Sequence, residues 1–154
     1  MSRRTEAKQA GALVDALPTY EARLREAGQL VTLQRRAILQ YLLAHREHPT
    51  AAQVAAAVTG HGASLATVYN TLTRLQELGL LQAVRAPDGE THWDVRTDAH
   101  HHLRCVRCGA VDDIDEGCVA VTVHDHGLRQ RVERMDLWLS GCCRACAPQA
   151  AAEI

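Results

Sequence analysis

The sequence has no phenylalanine, and its aromatic residues are limited to Trp93, Trp138, Tyr20, Tyr41 and Tyr69. Apolar residues still make up 47% of 154, so a packed core is available, but it has to be built from Leu, Val, Ala and Ile. No segment approaches the roughly 18 consecutive apolar residues of a membrane span, which argues against a membrane partner. The basic Met1–Arg4 stretch is followed by no apolar signal core, which points to a cytoplasmic chain. Net charge is only −1 with histidine neutral. Overall charge therefore announces no nucleic-acid partner, and only a local basic cluster could supply one. There is also no H-E-x-x-H pattern and no sign of a pocket-forming α/β scaffold. A metallohydrolase or another enzyme with a small-molecule substrate is disfavoured.

Metal-ligating residues, by contrast, are plentiful: six cysteines and nine histidines. In a cytoplasmic chain cysteines read as metal ligands or redox groups before disulfides. Cys105-Val106-Arg107-Cys108 and Cys143-Arg144-Ala145-Cys146 are two C-x-x-C pairs a few dozen residues apart. That spacing suits a closed tetrahedral Zn²⁺ site, each pair reaching the metal from a tight knuckle. Gly109 follows the first pair and Gly141 precedes the second, giving the backbone freedom to turn. Cys142 could replace Cys143 as the partner of Cys146, although the two-residue spacing fits a knuckle better. Cys118 and Cys142 otherwise read as spare thiols.

His100-His101-His102 lies just before the first knuckle. On an extended segment His100 and His102 point to one face and His101 to the other. A solvated histidine run is the plain reading. Asp94, Asp98, Asp112, Asp113 and Asp115 lie close in sequence and favour a mixed N/O site of the kind that suits Fe²⁺, Mn²⁺ or Zn²⁺.

The remaining pattern predicts an α+β chain. Residues 1–17 form a polar, Ala-rich extension ending at Pro18. Helices are expected over Thr19–Ala27, Leu33–His45 capped by Thr32, Ala51–Val58 capped by Thr50, and Leu65–Leu78 capped by Ser64 and closed by Gly79. Strands at Leu80–Arg85 and Thr91–Val95 flank the turn Pro87-Asp88-Gly89-Glu90. Helices followed by such a hairpin predict a winged helix-turn-helix. Further strands are expected over His101–Val106, Ala110–Ile114 and Gln130–Leu139, with a helix over Gly117–His126. The boundary near Val95-Arg96-Thr97 gives domains 1–95 and 96–154. The last helix of the first domain exposes Ser64, Thr67, Tyr69, Asn70 and Arg74, and Arg35-Arg36 lies upstream. These residue types can hold phosphates and read base edges. An ordinary solvated helix face, or a zinc-stabilised protein-interaction module, would carry the same residues without DNA.

Taken in order, Thr32–Arg36, His48-Pro49-Thr50-Ala51, Ser64–Asn70, Gly79-Leu80-Leu81 and the His100–Gly109 segment resemble the ferric uptake regulator family of metal-dependent repressors. The resemblance spans about Thr32 to Cys146. It implies a homodimer that binds operator DNA, with an N-terminal winged helix, a C-terminal α/β dimerisation domain, and a structural zinc at Cys105, Cys108, Cys143 and Cys146. It further implies DNA contacts at Arg35, Ser64, Thr67, Tyr69, Asn70 and Arg74. A regulatory metal site falls on His48, Asp94, His100, His102 and Asp113. Asp113 and Asn70, where uptake regulators generally carry glutamate and arginine, lean toward the peroxide-stress repressors. The expected function is thus a metal-dependent repressor released by metal-catalysed oxidation of His48 or His100. The regulatory ion is Fe²⁺ or Mn²⁺, with Zn²⁺ as a substitute. The alternative is an Fe/Mn uptake repressor without peroxide sensing, while a zinc-uptake regulator would carry cysteine where Asp94 stands. Ala99 and Met135 occupy positions where some members place ligands of a further site, so that site is not expected.

Overall fold

A computed structural model describes residues 16–45, 47–87, 89–122 and 135–147. The chain divides into two compact units, Met1–Thr97 and Asp98–Ile154. The expected extension over residues 1–15, and the expected structure over 123–134, lie outside the described residues.

The first unit holds helices α1 (Leu17–Glu26), α2 (Leu33–Ala44), α3 (Ala51–Ala57) and α4 (Leu65–Glu77), followed by strands β1 (Gln82–Arg85) and β2 (Thr91–Asp94). Pro18 sits in the first turn of α1, where its missing N–H would have no helical partner. It opens the helix instead of closing the preceding segment, which corrects the expected start at Thr19. Thr32, Thr50 and Ser64 each accept a hydrogen bond from the backbone N–H three residues on, as caps for α2, α3 and α4. At Thr50 the bond is reciprocated by Gln53, completing a capping box.

Helix α4 ends where Gly79 takes a positive φ of 67° and the Leu80 N–H bonds back to the Leu75 carbonyl at 2.9 Å. This closing turn uses the backbone of Leu80, and β1 accordingly starts at Gln82, later than the pattern predicts. The β1–β2 hairpin pairs Gln82 with Asp94 and Arg85 with Thr91. Leu24, Ile38, Leu39, Leu42, Val54, Val68, Leu72 and Leu75, with Trp93, form the core. It is aliphatic, as the missing phenylalanine requires. Replacing a fully buried leucine of this kind by alanine costs about 2–5 kcal/mol, so the polar face of α4 is held by a firm apolar one.

Among the described residues the second unit contains a three-stranded sheet in the order β4 (Val111–Asp115), β3 (His100–Cys105), β5 (Trp138–Gly141). Strand β4 runs antiparallel and β5 parallel to β3. As the central strand, β3 buries residues from both of its faces, including His100, His101 and His102. A short 3₁₀ turn occupies Glu116–Cys118. Residues 119–122 are not helical, so the described part of the expected Gly117–His126 helix is a single tight turn followed by irregular chain.

Candidate metal and nucleic-acid sites

Cys105 closes β3 and is fully buried. Gly109, at φ 75°, turns the chain back after Cys108, and the Cys105 N–H bonds the Ala110 carbonyl at 2.8 Å. The second knuckle closes through the Cys146 N–H to the Cys143 carbonyl at 3.0 Å. The four sulfurs of Cys105, Cys108, Cys143 and Cys146 lie within 4.8 Å of one another, with Cys108 and Cys143 Sγ 3.7 Å apart. A tetrahedron of Zn–S bonds of about 2.3 Å separates its sulfurs by about 3.8 Å, so the donor set fits zinc. Backbone N–H groups, Cys143 foremost and then Cys108, pull the Cys105 thiol down to about 6. Hydrogen bonding with the Cys143 and Cys108 sulfurs pushes Cys146 up to about 12. One ligand is thus ready as thiolate at neutral pH, and another releases its proton as metal enters. Cys142 and the exposed Cys118 are not among these four.

In the same unit, His100 and His102 lie on β3 opposite Asp115 and Asp113 of β4. His100 Nε2 is 3.3 Å from Asp113 Oδ1. His100 Nδ1 lies 2.8 Å from the Asp98 carbonyl. A carbonyl can only accept, so Nδ1 carries a hydrogen, and Nε2, which faces Asp113, is the nitrogen left for a metal. The His102 ring stacks on Trp138, with centroids 5.0 Å apart. Asp112 and Asp115 are exposed on β4.

In the first unit, His48 is 2% exposed and its Nε2 lies 3.7 Å from Asp94 Oδ2. Asp94 is buried as well. Its Oδ1 accepts from the Arg96 backbone N–H at 2.7 Å and its Oδ2 from Gln82 Nε2 at 2.9 Å. His92 Nδ1 donates to the His48 carbonyl at 2.6 Å. Gln82 and His92 were not singled out from sequence. The β1–β2 register, once drawn, places Gln82 opposite Asp94 and offers the only advance signal. His45 and His61 are exposed.

On α4, Tyr69 and Asn70 are exposed. Arg35, Thr67 and Asn70 join Gln29, Thr32 and Gln34 around an open cleft of about 550 Å³. Ser64 Oγ caps Thr67 and lies 2.9 Å from its hydroxyl. Arg35 reaches the Leu30 carbonyl at 2.6 Å. Arg36 pairs with the buried Glu21 at 3.0 Å. Arg74 is half-buried, its guanidinium 2.8 Å from Glu77. Two of the three arginines considered for this face therefore already have carboxylate partners.

A winged helix with an exposed polar helix face, followed by a unit bearing a four-sulfur cluster, defines the class of metal-binding transcription regulators. The sequence model of the Ferric uptake regulator family matches residues 26–133. The chain belongs to the ferric uptake regulator family of metal-dependent repressors. It is 34% identical over 142 residues to the peroxide operon regulator of Bacillus subtilis, covering 88% of this chain and 93% of that protein. Among solved structures it is similar to the manganese-bound ferric uptake regulator of Pseudomonas aeruginosa, with TM-score 0.57 and 28% identity over 80% of this chain and 97% of that one. It shares its fold with a zinc uptake regulator solved with zinc and DNA, with TM-score 0.65 and 20% identity over 90% and 97% of the two chains.

Proposed function

We propose that the chain is a homodimeric repressor of double-stranded operator DNA, dependent on a regulatory metal and released by peroxide. Residues 1–95 are the DNA-binding domain and residues 96–154 the dimerisation and metal-binding domain. Arg35, Ser64, Thr67, Tyr69, Asn70 and Arg74 form the DNA surface. Tyr69 and Asn70 are the base readers, and Arg74 would have to leave Glu77 to reach a phosphate. No described helix is long and apolar enough to cross a membrane. Membership of a family of transcription regulators supports reading the chain as a cytoplasmic regulator and not an enzyme.

Cys105, Cys108, Cys143 and Cys146 are the ligands of a structural Zn²⁺. His48, Asp94, His100, His102 and Asp113 are the ligands of one regulatory ion, Fe²⁺ or Mn²⁺, with Zn²⁺ as a substitute. The observation that carries this reading is the donor chemistry. Three buried imidazoles and two carboxylates make a nitrogen–oxygen set suited to those ions and unlike the thiolate set. Because its ligands come from both units, ligation favours one arrangement of the chain over others, and a population shift toward the DNA-binding state follows.

Fe²⁺, if held by His48, Asp94, His100, His102 and Asp113, would supply the redox chemistry by which peroxide oxidises a ligand ring, one peroxide oxygen passing to ring carbon and the other leaving as water. His48 and His100 are the rings proposed to take up oxygen, and an oxidised ring is a weaker donor, so the binding-competent state is lost. Similarity to a peroxide operon regulator favours this over plain metal sensing. The test is a DNA-binding titration with Fe²⁺ and with Mn²⁺, each with and without H₂O₂, followed by mass spectrometry. The expected result is release from DNA and a one-oxygen adduct on His48 or His100, with iron only. Persistence of DNA binding in iron plus peroxide would leave an Fe/Mn uptake repressor.

A further inference from the structure

We infer that His92 is a positioning residue for His48, its ring N–H clamping the His48 carbonyl and fixing where the imidazole of that ligand stands. The inference rests on the reading of His48 as a regulatory metal ligand.

His48 is the one non-glycine among the described residues with positive φ, at 49°. A side chain in that region crowds its own backbone, and the conformation persists only where the surroundings over-determine it. Pro49 adds a second restriction, since the residue before proline is pushed toward extended backbone. Something must hold His48 against both preferences.

Two attachments tie this segment to β2. The first is the antiparallel bridge of Thr50 with His92, in which the Trp93 N–H donates to the Pro49 carbonyl at 3.0 Å. It is a backbone contact, which any side chain at position 92 would preserve, and it acts one or two residues beyond His48. The second reaches His48 itself: the His92 Nδ1–H to its carbonyl, 2.6 Å and buried. His92 is only 8% exposed, so water does not readily replace that bond. The peptide that the bond grips sets the direction of the His48 side chain, which lies beside Asp94. Outer partners of this kind change metal affinity through the ligand they orient.

The test is calorimetric titration of Mn²⁺ into the zinc-loaded full-length chain. His92→Phe, which keeps a ring but removes the donor, is expected to weaken Mn²⁺ binding about 10- to 100-fold, with zinc content unchanged. His92→Asn, whose amide nitrogen falls near the Nδ1 position, should stay within about threefold of wild type. His48→Ala sets the floor, and His48→Ala combined with His92→Phe should bind no more weakly than His48→Ala alone. Wild-type Mn²⁺ affinity in His92→Phe, beside a weakened His48→Ala, would overturn the clamp while leaving the metal site intact. Losses that add in the double variant would overturn it equally. Undiminished affinity in His48→Ala would instead overturn the ligand reading, and the clamp with it. If His92→Phe fails to fold, His92→Gln takes its place. Its donor is displaced by one bond, so it should bind more weakly than His92→Asn, and equal affinities would reject the inference.

Discussion

The two proposed ligand sets are built on opposite plans. The cysteines come from two knuckles of one unit, and the backbone that carries them also positions them. The Gly109 turn, the Cys105–Ala110 bond and the Cys143–Cys146 bond are all local, and the groups that lower the Cys105 thiol are neighbouring backbone N–H groups. The His/Asp residues belong to four separate stretches of chain, and three of them are oriented by side chains from other stretches: Gln82 for Asp94, His92 for His48, Trp138 for His102, while His100 leans on the nearby Asp98 carbonyl. A cluster assembled locally suits a metal that stays. A cluster whose ligands and supports are dispersed suits a metal whose binding must change the state of the whole chain.

That comparison breaks most visibly at Cys105. Cys105→Ser should lose zinc and dimerisation together, because metal ligation supplies folding free energy to a unit with so small a sheet. Zinc assay and sedimentation of the same sample measure both, and a stable zinc-free dimer would remove the structural role. His102→Ala should act on the other cluster alone. Mn²⁺ affinity is expected to fall by more than about 100-fold, beyond what loss of an outer partner causes, and operator binding with it. Zinc content should stay at the wild-type level. Unchanged DNA affinity with Mn²⁺ present would sink the assignment of His102 to a sensing site.

The same contrast explains what could be read from the sequence. The cysteine knuckles were legible because their chemistry and spacing lie within four residues of each other. The helices were legible to within two residues, the start of α1 being the furthest off, because Thr32, Thr50, Ser64 and Gly79 punctuate them. His48 emerged only through family resemblance, since nothing in its local pattern distinguishes it, and the resemblance also picked Asp94 out of the five aspartates that lie near the histidines in sequence. His92 and Gln82 were not legible: their partners lie 44 and 12 residues away in the chain, the first brought close by the Thr50–His92 bridge and the second by the register of the hairpin. Arg36 and Arg74 were read among residues that can hold phosphates; the Glu77 partner of Arg74 lies three residues on along the same expected helix, whereas the Glu21 partner of Arg36 is visible only once α1 is placed.

The smallest effect is expected where one support of a dispersed ligand is removed and another remains. Gln82 faces Asp94 across the hairpin, and its amide donates both to Asp94 Oδ2 at 2.9 Å and to the Arg96 carbonyl at 2.6 Å. Gln82→Ala removes both bonds but leaves the Arg96 N–H on Oδ1 at 2.7 Å. The carboxylate then keeps one anchor and gains freedom about the other, so Mn²⁺ affinity should fall at the low end of the outer-partner range, about tenfold or less. A neutral amide is lost, so the charge of the donor set is unchanged and metal preference should not invert. Zinc retention should be untouched, since Gln82 contributes nothing to the knuckles. Parallel Mn²⁺ and Zn²⁺ titrations of Gln82→Ala check both halves of this. A loss as large as that of His102→Ala would mean that Gln82 holds more than the carboxylate, and a loss of zinc would mean that the two clusters are not supported independently.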